Sequence, residues 1–294
     1  MKSDTSLVKV NTPDGLILHG LSVRPTKTTD KVIIHIHGSS GSFYFNSFYP
    51  YLFEMATKNG FAFLSTNSRG SDVYNVEAGV KPTGAAVEIF EECLIDIDTW
   101  IEFAVNQGYK NIILEGHSFG TNKIQYYLQK GKYKDIINSV ILLGFCDSYG
   151  GQLVFLKKNC FKNEDILNEA KKLVSEGKPY QLLSHPFINW GELPQAAESY
   201  ISHMSPDSEL SKILPLKVNG KLPNFAKIDI PILGIVGDHD ECTVIEPQNA
   251  VNLLNNANKN AKCFMIKGSN HQYTGKEQEL VALITSFIRE RFKD

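Results

Sequence analysis

Six short, almost unbroken apolar runs recur along this 294-residue chain, and segments of helical pattern lie between them. They are KVIIHIH (31–37), FAFLSTN (61–67), NIILEGHS (111–118), SVILLGFC (139–146), PILGIVGD (231–238) and KCFMIKG (262–268). A strand that is apolar on both faces must be covered on both faces, and helices between such strands supply the cover. The expected fold is therefore α/β, a mostly parallel central sheet flanked by helices. Ahead of these runs, residues 6–23 carry two β-like stretches around Pro13-Asp14-Gly15, which predicts an N-terminal hairpin at one edge.

The helices fall in the gaps. Residues 47–59 read as a helix stopped by Gly60, and further helices are expected over 120–130, 246–256 and 275–291. The clearest pattern covers 87–107. There Ile89, Cys93, Ile97, Trp100 and Ala104 form one stripe, Phe90, Leu94, Ile101 and Val105 widen it, and Glu91, Glu92, Asp98 and Glu102 face away. Residues 147–228 break the rhythm: they look helical and loop-like, without a convincing strand. A stretch of about 80 residues is too long for an ordinary connection. The domain reading is an α/β core of 1–146 and 229–294 with a helical cap, 147–228, inserted in it. Phe155, Phe161, Phe187 and Trp190 are expected mainly to form the cap's own small core, with one or two lining a pocket.

Composition narrows the partners. A net charge of −2 with interspersed signs offers no basic stripe for nucleic acid. No run approaches the ~18 apolar residues of a membrane span, and the polar start MKSDTSLVKV lacks a secretory apolar core, so a cytoplasmic location is expected. The five cysteines, Cys93, Cys146, Cys160, Cys242 and Cys263, are odd in number and widely spaced, and no C-x-x-C occurs. Reduced thiols are the expectation, with no disulfide framework, metal or cofactor indicated.

Chemistry enters at EGHSFG. Ser118 lies between Gly116 and Gly120, where an expected strand meets an expected helix. A tight strand-to-helix turn presents such a serine above the sheet, and glycines at −2 and +2 avoid collision with neighbouring backbone. The bland alternative is a Gly-rich turn that happens to contain serine. A serine hydroxyl needs a base, and His271 in KGSNH follows the last expected strand. The base needs a carboxylate to orient it. After the preceding strand, GDHDE offers Asp240, favoured because it lies inside the loop, then Asp238, a turn former by its position, and more remotely Glu241. HGSSGS (37–42) would supply an oxyanion hole through the backbone N–H of Ser39, together with that of Phe119 after the serine.

The order Ser118, Asp240, His271 in this strand context points to serine hydrolase chemistry, and here the chain resembles the α/β-hydrolase superfamily. HGSSGS, EGHSFG, VGDHD and GSNH carry the likeness over nearly the whole length. A weaker resemblance joins it to a group of fungal proteins and bacterial relatives that includes siderophore-hydrolysing esterases. That likeness lies in NEAKKLVSEGK, SYISHMSPDSELSKI and the acidic helix before the serine. The resemblance implies hydrolysis of a small-molecule carboxylic ester. Amidase, peptidase, thioesterase or acyltransferase activity would use the same acyl-enzyme, and a non-catalytic receptor is the reading from another class. NSRG (67–70) is similar to an Arg-Gly loop whose arginine is structural in such relatives; the alternative is that Arg69 binds a substrate carboxylate.

Overall fold

The computed structural model describes residues 4–77, 79–186, 191–217 and 221–292. Strands β1 (Asp4–Asn11) and β2 (Ile17–Arg24) form the expected antiparallel hairpin. The remaining strands are β3 (Lys31–Ile36), β4 (Ala62–Thr66), β5 (Asn111–His117), β6 (Ile137–Leu143), β7 (Ile232–Gly237) and β8 (Ala261–Ile266). They make one eight-stranded sheet in the order β1-β2-β4-β3-β5-β6-β7-β8. β2 joins β4 antiparallel, and from β4 to β8 every pairing is parallel.

Period-two alternation divides the core between two faces. Val32, Ile34, Ile36, Ile112 and Leu114 point to the side covered by α2 (Cys93–Asn106), α3 (Phe119–Lys130) and α7 (Pro247–Ala257). Ile33, Phe63, Ile113 and Ile141 point to the other, covered by α1 (Tyr49–Lys58) and α8 (Glu277–Arg291). Burying side chains of this size contributes roughly 1.5–3 kcal/mol each, so the central strands are fixed by both layers.

The helix expected over 87–107 begins later. Residues Phe90–Glu92 form one 3-10 turn and the α-helix starts at Cys93. Trp100, Ile97, Ile101 and Ala104 are buried as the stripe requires, but Val105 is exposed. Asp96, also on this helix, is buried. It faces inward because the Arg69 side chain and the Arg69 amide both donate to its carboxylate.

Between β6 and β7 come α4 (Ser148–Lys158), α5 (Asn163–Ser175) and α6 (Ala197–Met204). Leu156, Ile166, Leu167, Ala170, Tyr200 and Met204 form an apolar cluster of their own, against which Phe155 and Phe161 pack. Phe187 and Trp190 lie outside the described residues.

The turn from β5 into α3 is the tightest point of the core. A Cβ on Gly120 would sit 2.2 Å from the Ile36 carbonyl oxygen, and one on Gly116 would sit 2.7 Å from the Gly120 carbonyl. Both obstacles are backbone and cannot swing aside. Gly120→Ala is therefore expected to cost about 3 kcal/mol or more, read as a fall in urea midpoint. Gly60→Ala, where nothing lies within 4 Å of the new methyl, is the control and should lose only the modest cost of its positive φ.

Candidate active site

Ser118 has φ 55° and ψ −126°, outside the regions that side-chain-bearing residues ordinarily occupy. The surroundings hold it there. Its amide donates to the Leu143 carbonyl at the end of β6, and its own carbonyl accepts from the Thr121 amide and hydroxyl in the first turn of α3. The loop after β3 closes in from the other side. A Cβ on Gly38 would lie 2.8 Å from Ser118 Cβ, so only glycine lets HGSSGS come this near. Ser39 and Phe119 both line the cavity that Ser118 opens into. Neither of their amides donates to a backbone carbonyl among the described residues.

His37 holds that loop in shape. Nδ1 donates to the Gly38 carbonyl at 2.6 Å, and Nε2 accepts from the Ser68 amide and the Ser71 hydroxyl. Residue 37 sits just past β3, and its side chain is fully buried. The sequence placed it on a strand face and assigned it no role.

Asp240 and His271 come from the ends of the next strands. Asp240 follows β7; its Oδ2 lies 2.8 Å from His271 Nδ1, and its Oδ1 accepts from the Cys242 amide. Asp238 instead accepts from the Gly268 and Ser269 amides, and these backbone hydrogen bonds, that from Gly268 first, hold its carboxyl below the usual range. It is a turn former. The imidazole of His271 rests against Gly144, where a Cβ would come 2.8 Å from Cε1 and 3.0 Å from Nδ1. Gly144 has φ 55°, and its amide donates to the Ile235 carbonyl and the Tyr273 hydroxyl. That departure ends β6 at Leu143, short of the 146 expected from the apolar run. On its other edge, His271 Nε2 has Cys242 Sγ at 3.9 Å. Among the described residues no hydrogen bond joins His271 to Ser118. Contacts of this kind are commonly long without substrate and tighten when it binds.

The cavity holds about 100 Å³ between the strand ends and the inserted helices, with Glu88, Cys146, Asp147, Gln152, Gln195, His203 and Met204 also on its walls. Burial pushes the Cys146 thiol up to about 12, so it stays protonated. Glu88 is ion-paired with Lys123, both side chains being buried. Arg69, next to this wall, binds Asp96, Glu92 and Asp14 and is committed to structure. Asp240, Cys242 and His271 have ligand atoms within 4.8 Å of one another, the one cluster among the described residues with metal-ligand spacing. The short Asp240–His271 contact already accounts for two of its three members.

Two predictions follow from this packing. Relieving the backbone at 118 should stabilise the fold, so Ser118→Gly is expected to gain about 1 kcal/mol in chemical denaturation. The second concerns pH. Desolvation first, then the Lys123 charge, pushes His37 down to about 3, and burial holds His117 well below its ordinary value. Unfolded imidazoles titrate near ~6.5, so below that pH the unfolded chain takes up protons that the folded chain refuses. Stability is full above about pH 6.5 and is lost as pH falls, with a slope of up to about 1.4 kcal/mol per pH unit for each histidine. A urea midpoint that does not move between pH 7.5 and pH 5.0 would contradict this.

Comparison with known proteins sets this geometry in context. No curated protein is similar to the chain. Among solved structures it is similar to Est1E from Butyrivibrio proteoclasticus bound to ferulic acid, at 18% identity and TM-score 0.65 over 97% of this chain and 98% of that one. It is also similar to a thermostable carboxyl esterase from Bacillus coagulans, at 13% identity and TM-score 0.66 over 99% of both chains. A soluble variant of monoglyceride lipase from Saccharomyces cerevisiae aligns at 13% identity and TM-score 0.69, over 100% of this chain and 98% of that one. Identities this low establish the fold, and it is the α/β-hydrolase fold. Residues 91–289 match the family described as "Protein of unknown function (DUF1749)", and the chain belongs to that family.

Proposed function

We propose that the protein is a serine hydrolase that cleaves a carboxylic ester of a small acylated molecule. The observation that carries the reading is the pairing of two costly features at one cavity: Ser118 in its strained turn, and the Asp240–His271 contact of 2.8 Å beside it. In this reading His271 Nε2 takes the proton as Ser118 Oγ attacks the carbonyl carbon. Asp240 keeps the Nδ1 proton in place and balances the imidazolium. The N–H groups of Ser39 and Phe119 receive the oxyanion, aided by the N-terminus of α3. Collapse of the tetrahedral intermediate expels the alcohol, which takes the proton from His271. Water, deprotonated by the same imidazole, then releases the acid.

The esterases and the lipase with this fold support an ester over other acyl compounds, as the class of reaction their names carry. Residues 147–228 serve in this proposal as a cap over the core made by 1–146 and 229–294. The apolar cluster inside the insertion and the cavity beneath it support that division. No helix among the described residues is long and apolar enough to cross a membrane. Cys93, Cys146, Cys160 and Cys263 are free thiols, which supports action in the reducing cytoplasm.

Intact mass after treatment with a fluorophosphonate tests the nucleophile. One adduct is expected on the wild type and none on Ser118→Ala. An unlabelled, folded wild type would end the hydrolase reading. Asp240→Asn should lower kcat/KM for an aryl ester on the order of 10³–10⁴-fold, whereas Asp238→Asn should stay within a few-fold. Parallel amide and thioester substrates report whether the ester is the preferred bond.

A further inference from the structure

The wall of the cavity formed by Glu88 and His203 has a chemistry that ester cleavage does not use. His203 lies on α6, and its Nδ1 is 2.8 Å from the Ser199 carbonyl four residues earlier. A carbonyl only accepts, so Nδ1 carries the hydrogen and the neutral ring is left with a lone pair on Nε2. Because Nδ1 turns back to its own helix, Nε2 is the edge directed away from it, and it has no hydrogen-bond partner among the described residues. The ring cannot turn freely. It stacks on Phe119 at 5.5 Å and 24°, and meets the edge of Phe90 at 6.4 Å. Burial keeps the imidazole neutral by lowering its affinity for a proton.

Glu88 lines the same cavity, with its carboxylate packed against Gly70. Its charge is already matched by Lys123, which is itself fully buried and lies 5.1 Å from the centre of the Phe119 ring. This wall therefore presents one acceptor to the cavity, His203 Nε2, and has no net charge to spare. At this wall a positively charged ligand would enter beside Lys123, whose partner Glu88 is already engaged, while the cavity's other carboxylate, Asp147, caps α4 through the Gly150 amide, so the charge would be buried without a close partner here. A neutral hydrogen-bond donor meets no such penalty.

We propose that His203, backed by Glu88, forms a subsite for a hydroxyl group of the substrate. The preferred esters would then carry an O–H on whichever portion occupies this end of the cavity. The assignment deepens the hydrolase reading above and rests on it for the word ester, but the subsite itself is a matter of binding. The hydroxyl donates to Nε2, and its oxygen remains able to accept from the solvent side.

Paired esters that differ by one hydroxyl test this, with the hydroxyl on the acyl chain in one pair and on the alcohol in the other. Their dissociation constants for Ser118→Ala, measured by calorimetry, need no turnover. In one pair the hydroxylated ester is expected to bind about tenfold more tightly, the difference made by one well-placed hydrogen bond. Adding His203→Phe, which keeps a flat ring to stack on Phe119, should bring that ratio to within twofold. His203→Gln, which restores an acceptor, should recover part of it. The same ratio in kcat/KM on otherwise wild-type protein is expected to follow. Equal binding within both pairs, or a preference that survives His203→Phe, would overturn the subsite. Failure of the hydrolase reading would look different, as the absence of a Ser118 adduct with the binding preference intact. A pair in which an ammonium ester outcompetes the hydroxylated one would equally overturn the choice of a neutral donor.

Discussion

Backbone touches backbone where α3 leaves the sheet, and the rest of the site depends on that contact. With only hydrogen on Gly120, the first turn of α3 lies against the Ile36 carbonyl at the end of β3. Gly116 admits the same turn from the β5 side, and Gly38 lets the following loop reach Ser118. Strands β3 and β5, with β6 accepting the Ser118 amide at the Leu143 carbonyl, thus converge on one residue, and their packing holds Ser118 at a φ of 55° that an isolated turn would abandon. Such strain is affordable only where the structure around it is over-determined.

A second ring of buried polar groups supports this centre. His37 ties the loop after β3 to the Ser68–Ser71 turn after β4. Arg69 in that turn fastens it to Asp96 on α2. Lys123 on α3 pairs with Glu88, two residues ahead of the 3-10 turn that leads into α2. Apolar side chains of similar size would often serve stability as well or better. What charged and hydrogen-bonded pairs add is direction, since each accepts one arrangement of the loops it joins. The loops that surround Ser118 are therefore rigid for reasons separate from the hydrophobic core beneath them.

The end of β6 shows how fold and site compete for the same residues. An apolar run continues through Phe145 and Cys146, and both are buried. The strand nevertheless stops at Leu143, because Gly144 turns to leave room for the imidazole of His271. Tyr273, fully buried, accepts from the Gly144 amide and donates to the Ile235 carbonyl. A position that would have extended the sheet has become the bed of a side chain from two strands away.

Periodicity and punctuation in the sequence were enough to determine the layers. Alternating apolar runs placed the parallel strands, Pro13-Asp14-Gly15 placed the hairpin, and the glycines around Ser118 marked the sharp turn. These features are local: each follows from which side chains can be buried or which φ a residue can hold. The order of Ser118, Asp240 and His271 was readable for the same reason, as each lies at a strand end. Which histidine braces the loop after β3, and which acidic residue of α2 turns inward, were not. His37 looks like one more residue of a buried strand, and Asp96 looks like any polar residue on a helix. Only tertiary structure singles them out, because a buried polar group takes its meaning from a partner far away in the chain, and helical or strand spacing carries no record of that partner.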